Sequence, residues 1–366
     1  MVSVGGVGKE NGQKTNMWDK IRNLQLDHTS RCNLSCPQCA RVWDNGKSIN
    51  PAMPISDLSL DDYKILLEPF ENNQLQQILH CGNFGDIIVS PTFDETFDYS
   101  LDFTKTIKIE TNGSARKTDW WQDLAKRSRN KLTMIFSIDG LKDTNHIYRV
   151  GSNFEKITEN AQAFINAGGK AVWQFIEFEH NYHQIDEAKQ VAKNLGFTDF
   201  RVKYTSRFAE QNIKKVETKK GVTVKDKSDN QNQKDMQNVL KTFSSFDEYV
   251  EKTDITCKYL ADQRLFIDME MRLWPCCWFG APKYFAHKNK QTTDFKHFLE
   301  LYGEDFNDMR KHGWSVLEHE FFQKYLPTSW NNPDSKYKRI FTCGRTCGNK
   351  FQFSSGYGDN RKSVKL

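Results

Sequence analysis

The chain has 366 residues, enough for one large domain or a domain with a smaller appendage. Its 37% hydrophobic content, with 26 Phe, 12 Tyr and 9 Trp, supports a sizeable core despite a mean hydropathy of −0.73. A net charge of +5 and a pI of about 8.6 fall short of a dedicated nucleic-acid binder, roughly pI > 9 with clustered Lys and Arg. No run approaches the ~18 apolar residues of a membrane span, and residues 1–20 lack the apolar centre of a secretory leader. The expectation is a cytoplasmic protein whose thiols stay reduced, and nine clustered cysteines then favour metal over disulfides.

Residues 1–20 are rich in Gly, Asn and Lys and read as an N-terminal arm. From residue 21 to 205, strand-like and helix-like segments alternate, the pattern of βα units that build a parallel sheet. The strands are expected at Leu24–His28, Gln77–His80, Ile107–Glu110, Leu132–Ile138, Ala171–Phe178 and Phe200–Tyr204. Between them, Ser59-Leu60-Asp61-Asp62 reads as a capping box opening a helix to about Phe70. Asn153–Ala167 carries apolar residues at helical spacing and stops at Gly168-Gly169, and His183–Leu195 stops at Gly196. Residues 206–235 are polar and charged and read as a linker or loop, followed by a short helix around Asp235–Lys252. Residues 253–366 form a separate cysteine-bearing segment.

The most informative run is Cys32-Asn33-Leu34-Ser35-Cys36-Pro37-Gln38-Cys39, three thiols at CxxxCxxC spacing just after the first expected strand. Three thiolates can hold three irons of a [4Fe-4S] cube and leave the fourth open. A zinc site closes with four protein ligands and groups its cysteines in pairs, so it fits this run less well. The run resembles the signature of the radical S-adenosylmethionine (SAM) superfamily. That resemblance implies a partial (β/α)6 barrel, an α/β fold related to the TIM barrel. It also implies SAM chelated to the open iron and cleaved to a 5′-deoxyadenosyl radical. The aromatic residue that many members carry after the second Cys is Pro37 here.

Further segments resemble the family's SAM contacts in their order along the chain, each at the C-terminal end of an expected strand, where loops converge. Cys81-Gly82-Asn83-Phe84-Gly85-Asp86 resembles the GGE-type motif, with Gly85 and Asp86 on the SAM amino group. Glu110-Thr111-Asn112-Gly113 resembles the segment beside the ribose, and Ser137 and Gln174 stand where relatives contact the carboxylate or ribose. Singly, Gly-containing turns are common in any fold. Cys81 reads as a small buried side chain.

Five cysteines lie in the last third: Cys257, Cys276, Cys277, Cys343 and Cys347. Phe266–Pro275 suggests a hairpin delivering a thiol at its end. The segment resembles the SPASM/twitch extension, which implies a second, auxiliary [4Fe-4S] cluster on Cys257, Cys276, Cys343 and Cys347. Cys276 is preferred to Cys277 because neighbours on a strand face opposite ways. The family's glycine five residues before the second Cys is Met271 here. A four-thiol zinc site satisfies the same residues. Relatives of this kind imply a peptide or protein substrate and a low-potential electron donor such as flavodoxin or ferredoxin. A small metabolite, a nucleic acid held by the Lys-rich 214–227 stretch, and a non-enzymatic metal-binding protein remain as alternatives.

Overall fold

The computed structural model describes residues 20–205, 207–210, 214–227, 237–284, 290–349 and 362–366. The expected arm, apart from Lys20, residues 206, 211–213 and 228–236 of the expected linker and the start of its following helix, and residues 285–289 and 350–361 of the C-terminal segment lie outside them. The six expected strands all form: β1 (Asn23–Leu26), β2 (Leu75–His80), β3 (Thr104–Thr111), β4 (Leu132–Ser137), β5 (Lys170–Ile176) and β6 (Asp199–Lys203). Three more join them: β7 (Arg264–Ile267), β8 (Leu273–Trp274) and β9 (Lys362–Lys365). The sheet order is β8-β7-β1-β2-β3-β4-β5-β6-β9. From β7 to β6 every pairing is parallel, and β8 and β9 are antiparallel edges.

The fold is therefore α/β with a mostly parallel sheet. Six strands were expected to build it, and a seventh parallel strand, β7, lies beside β1. It comes from the cysteine-bearing C-terminal segment, so residues 253–366 share the sheet with residues 21–205. The expected hairpin is present, as β7–β8, with Cys276 just beyond it.

Alternation along the strands sorts the two faces of the sheet. Leu24, Leu26, Ile78, Ile107, Ile109, Met134, Phe136, Trp173, Phe175 and Phe200 enter the main apolar core. Gln25, Glu110, Ser137, Gln174 and Lys203 line a cavity on the opposite face. Strands β3 and β6 are separated by two others, yet Lys203 Nζ lies 3.7 Å from Glu110 Oε1. At ~4.8 Å per strand, a flat sheet would hold those strands about 14 Å apart. Glu110 and Lys203 therefore reach toward each other across the cavity face of the sheet.

The flanking helices start and stop where local chemistry requires. In α1 (Leu60–Leu67), the Asp62 backbone N–H donates to Ser59 Oγ and the Ser59 N–H donates to the Asp62 carboxylate, a complete capping box. Further along come α2 (Phe93–Ser100) and α3 (Thr118–Arg127). In α4 (Phe154–Asn166), Asn153 caps the Lys156 N–H at 2.7 Å. Helix α5 (Ile185–Leu195) ends at Gly196, whose φ of +87° is the left-handed cap that glycine adopts without Cβ strain.

The stretch expected as a linker is more ordered than its composition suggests. Lys215–Glu217 and Thr223–Lys225 form an antiparallel hairpin. Val216 and Val224 bury against Tyr148, Phe178 and Phe208 in a small second core that also touches Cys36. Two valines alternating with charged residues suffice to anchor a ribbon whose other face is solvated. The short helix expected after it forms at Phe246–Lys252, capped by Ser245.

Candidate functional site

A cavity of about 350 Å³ occupies the C-terminal ends of the parallel strands. Cys32, Cys36 and Cys39 form one end of it, on the loop after β1. That loop is held from several sides. The Cys39 N–H donates to Cys36 O at 3.1 Å, the Ser35 N–H to Val150 O at 3.0 Å, and the Arg41 guanidinium to Leu34 O. From the hairpin at 215–225, Lys219 Nζ donates to Ser35 Oγ at 3.0 Å.

The Gly82–Asp86 turn presses against this loop. A Cβ on Gly85 would stand 2.2 Å from Thr29 O and 2.7 Å from Arg31 O, so only glycine allows this approach. The Asp86 N–H donates to Arg31 O at 2.8 Å. The Asp86 carboxylate accepts from the Asn112 N–H at 2.8 Å, Asn112 Nδ2 at 2.6 Å, Thr111 Oγ1 at 3.0 Å and the Ile88 N–H at 3.4 Å. A carboxylate has about four lone-pair sites. The resemblance implies an amino group as the partner of Asp86; among the described residues its carboxylate bonds mainly to the β3 loop. Asn112 in turn donates to Asn33 Oδ1 at 3.0 Å and reaches Cys32 Sγ at 3.8 Å. Asp86 thus holds the asparagine that holds the cysteine loop. Burial pushes the Asp86 carboxyl up to about 6, against the pull of its hydrogen bonds.

Asp27, at the end of β1, performs a parallel task that the sequence did not signal. It accepts from the Asn83 N–H and from Asn83 Nδ2, both at 3.0 Å, and so shapes the glycine turn. Burial raises its carboxyl to about 7. Arg149 donates from Nε to Asp139 Oδ2 at 2.6 Å, and Asp139 is fully buried. Burial pushes the Cys36 thiol up to about 11, and Arg149 and then Arg207 oppose that rise. Burial likewise lifts Cys32 to about 12, with Asp86 adding to the effect. Binding a metal at such thiols must release protons.

The residues fit an iron–sulfur cluster with SAM. Three thiols stand at one end, and Thr111, Asn112, Ser137 and Gln174 line the space beyond them. Gln174 Oε1 is buried without a hydrogen-bond partner among the described residues, an acceptor awaiting a donor. The volume lies within the ~300–1,000 Å³ range of small-molecule sites.

The C-terminal cysteines come together from three distant segments. Cys257 precedes the turn Lys258–Ala261, Cys276 follows the β7–β8 hairpin, and Cys343 and Cys347 lie one turn apart on the helix Phe341–Cys347. Burial raises the Cys276 thiol well above its ordinary value, and Cys277 first, then Cys343, Cys347 and Cys257, add to the rise. The Thr256 N–H donates to Cys347 O at 3.1 Å, joining two of the segments directly. Cys277 lines the cavity, 3.2 Å from Tyr259 Oη. Four thiols, Cys347 buried and the other three partly accessible, are a donor set that suits either an iron–sulfur cluster or zinc. Among the described residues, no group of three or more His, Cys, Asp or Glu side chains is placed so that it could hold a single metal ion.

Met271 explains how this chain manages without the glycine its resemblance implies. Its φ is +60°, the left-handed region that favours glycine, and its side chain is fully buried. Asp268 fixes the turn by accepting from the Glu270 and Arg272 N–H groups at 2.9 and 3.0 Å, and from Trp274 Nε1 at 2.8 Å. Burial of the thioether offsets the ~1–2 kcal/mol of backbone strain.

No protein-family model matches the chain. A "Tungsten-containing aldehyde ferredoxin oxidoreductase cofactor-modifying protein" of Pyrococcus furiosus is 21% identical over 192 residues, 48% of this chain and 49% of that protein. The chain thus matches about half the length of that curated relative. Among solved structures, Streptococcus suis SuiB bound to S-adenosylmethionine is 14% identical, covering 71% of this chain and 59% of that one, with a TM-score of 0.46. SuiB bound to its precursor peptide SuiA is 16% identical, covering 74% and 62%, at 0.49. Native anSMEcpe with bound AdoMet is 15% identical, covering 88% and 93%, at 0.43. SuiB and anSMEcpe are thus seen with S-adenosylmethionine bound, and SuiB also with a peptide.

Proposed function

We propose that the chain is a radical SAM enzyme, with Cys32, Cys36 and Cys39 as ligands of a [4Fe-4S] cluster and the cavity beyond them as the SAM site. The single observation that carries this reading is the meeting of the CxxxCxxC loop with the ends of β2–β6 around one cavity. When bound there, cluster and SAM would supply a 5′-deoxyadenosyl radical that abstracts hydrogen from a substrate.

The chain's own residues bind, orient and exclude water. Asn112 and Asn33 fix the cysteine loop, and Gly85 lets the adjacent turn close on it. Thr111, Ser137 and Gln174 offer polar groups to the ribose and the amino-acid end of SAM. Arg149 sets positive charge beside Cys36, which favours its thiolate. Cys257, Cys276, Cys343 and Cys347 are proposed to hold an auxiliary [4Fe-4S] cluster, with zinc as the competing occupant. A low-potential protein such as flavodoxin or ferredoxin is the proposed electron donor.

The proposed substrate is a peptide. The cavity lining also includes Tyr204, Lys258, Asp262, Arg264 and Trp278, a mix of aromatic groups and both charge signs that suits a chain of amides and side chains. A small molecule is the second reading, favoured by the cofactor-modifying role in the name of the Pyrococcus relative. Among the described residues no helix is long and apolar enough to cross a membrane.

The test is release of 5′-deoxyadenosine from SAM under a strong low-potential reductant, without added substrate. Iron-loaded wild-type protein should release it slowly. A reconstituted, SAM-binding protein that releases none under any reductant would sink the enzyme reading.

A further inference from the structure

Once three cysteines are placed on the CxxxCxxC loop and four in the C-terminal group, two of the nine remain, Cys81 and Cys277. They come from opposite parts of the chain, one just after β2 and the other just after the β7–β8 hairpin. Both line the cavity, and both are partly accessible. One side chain serves the two sulfurs: Gln25 Nε2 donates to Cys81 Sγ at 2.7 Å, and the same Gln25 side chain opposes the rise to about 11 that burial imposes on the Cys277 thiol. Tyr259 Oη donates to Gln25 Oε1 at 2.5 Å and stands 3.2 Å from Cys277 Sγ, which closes the network. On its far side, Cys81 Sγ is 3.9 Å from Asp27 Oδ1. Two thiols brought to one amide, at the wall of a ligand cavity, are more than buried small side chains.

We propose that Cys81 and Cys277 form a redox-active dithiol of the cavity that exchanges with small disulfides. The sulfur of Cys277 attacks a disulfide R–S–S–R, forming a Cys277–S–S–R bond and expelling one RS⁻. The sulfur of Cys81 then attacks Cys277 Sγ, forming the Cys81–Cys277 bond and expelling the second RS⁻. The two protein thiols lose two electrons and two protons, and the small disulfide leaves as two RSH. The new bond would tie the end of β2 to the hairpin that delivers Cys276, so the state of the pair sets the width of the cavity between its two cysteine groups. The pair stands independently of the SAM reading, because its exchange needs neither cluster nor SAM.

The experiment uses the full chain, iron-loaded under argon so that the other thiols are occupied, and cystamine as the probe disulfide. After oxidation, free thiols are alkylated and the digest is mapped by mass spectrometry. The expected result is a Cys81–Cys277 linked peptide, with about two cysteamines released per chain and full reversal by dithiothreitol. Cys81→Ser should stop at a mixed disulfide on Cys277 and release about one cysteamine. If the chain takes up no iron, the same mapping is read on its Cys276→Ser variant, where the neighbouring thiol cannot compete. Full alkylation of both cysteines after oxidation would overturn the proposal. So would linkage of Cys277 to Cys257, Cys343 or Cys347, or a mixed disulfide on wild-type Cys277 that never resolves. Deoxyadenosine release, measured on the same preparation, reports separately on the SAM reading.

Discussion

The two cysteine groups of this protein are built in contrasting ways. Cys32, Cys36 and Cys39 sit within eight residues, and a single loop after β1 positions all three. Cys257, Cys276, Cys343 and Cys347 span 91 residues and meet only because a hairpin, a turn and a helix pack together. The first group is a local object lodged in a folded frame. The second is a product of the frame, and any ligand it binds is also a clamp on the fold. Metal at a site assembled from distant segments adds its binding free energy to folding.

That contrast breaks most sharply on cysteine replacement. Changing Cys32, Cys36 and Cys39 together to Ala should abolish deoxyadenosine release and remove about half the iron, with the thermal midpoint little changed. Replacing Cys343 and Cys347 should spare much of the substrate-free cleavage but lower the midpoint, read by calorimetry. Equal loss of cleavage in both variants would show that the second group also holds the cavity together. Iron-free, zinc-bearing protein from anaerobic purification would remove the auxiliary cluster.

Arg149 tests how far the frame supports the local group. Arg149→Leu leaves the buried Asp139 carboxylate with the Ile176 N–H but without its cation, at a cost of about 3–5 kcal/mol in denaturant unfolding. A loss under 1 kcal/mol would mean that Asp139 finds other donors.

Asp86→Ala should weaken SAM binding roughly ten- to a hundred-fold, about 1.5–3 kcal/mol, with iron retained. Because the carboxylate acts through Asn112, Asn112→Ala should have a similar effect, and the double variant should be far from additive. Additive losses in calorimetric titration would point instead to direct contact between Asp86 and SAM.

Asp27 gives a pH signature. Its folded carboxyl is raised to about 7, so below its ordinary range both states are protonated and nothing is lost. Stability then falls as pH rises through about 4 to 7, where the buried group must ionise. The stability difference between Asp27→Asn and wild type should therefore shift in favour of the variant across that window, by an amount on the order of a few kcal/mol. The hydrogen bonds lost in the variant add only a pH-independent offset. A flat difference curve would refute the burial effect. The smallest effect is expected at Lys219→Ala, which removes one exposed contact to Ser35 and should change SAM affinity less than about threefold.

Much of the barrel was readable before folding. Strands of alternating apolar and polar residues, a capping box at Ser59, and glycine stops at Gly168 and Gly196 are local signals, and each element forms close to its expected bounds. β7 was not readable as a barrel strand, because four residues inside a cysteine-bearing hairpin carry no mark of which sheet they join. The hairpin at 215–225 was hidden for a related reason. Its only apolar anchors are Val216 and Val224, and their partners Phe178 and Phe208 lie elsewhere in the sequence.

By itself the sequence determined the three-thiol loop, the polar strand ends and their order, because spacing and side-chain alternation are properties of a short stretch of chain. The tertiary structure alone decided where the thiols and carboxylates point. It aimed Cys276 at the distant cysteines and Cys277 at the cavity, and it turned Asp86 toward Asn112. It also placed Asp27 under the glycine turn. Those outcomes depend on which elements pack together, and packing is set by the summed burial of residues that are neighbours only in space.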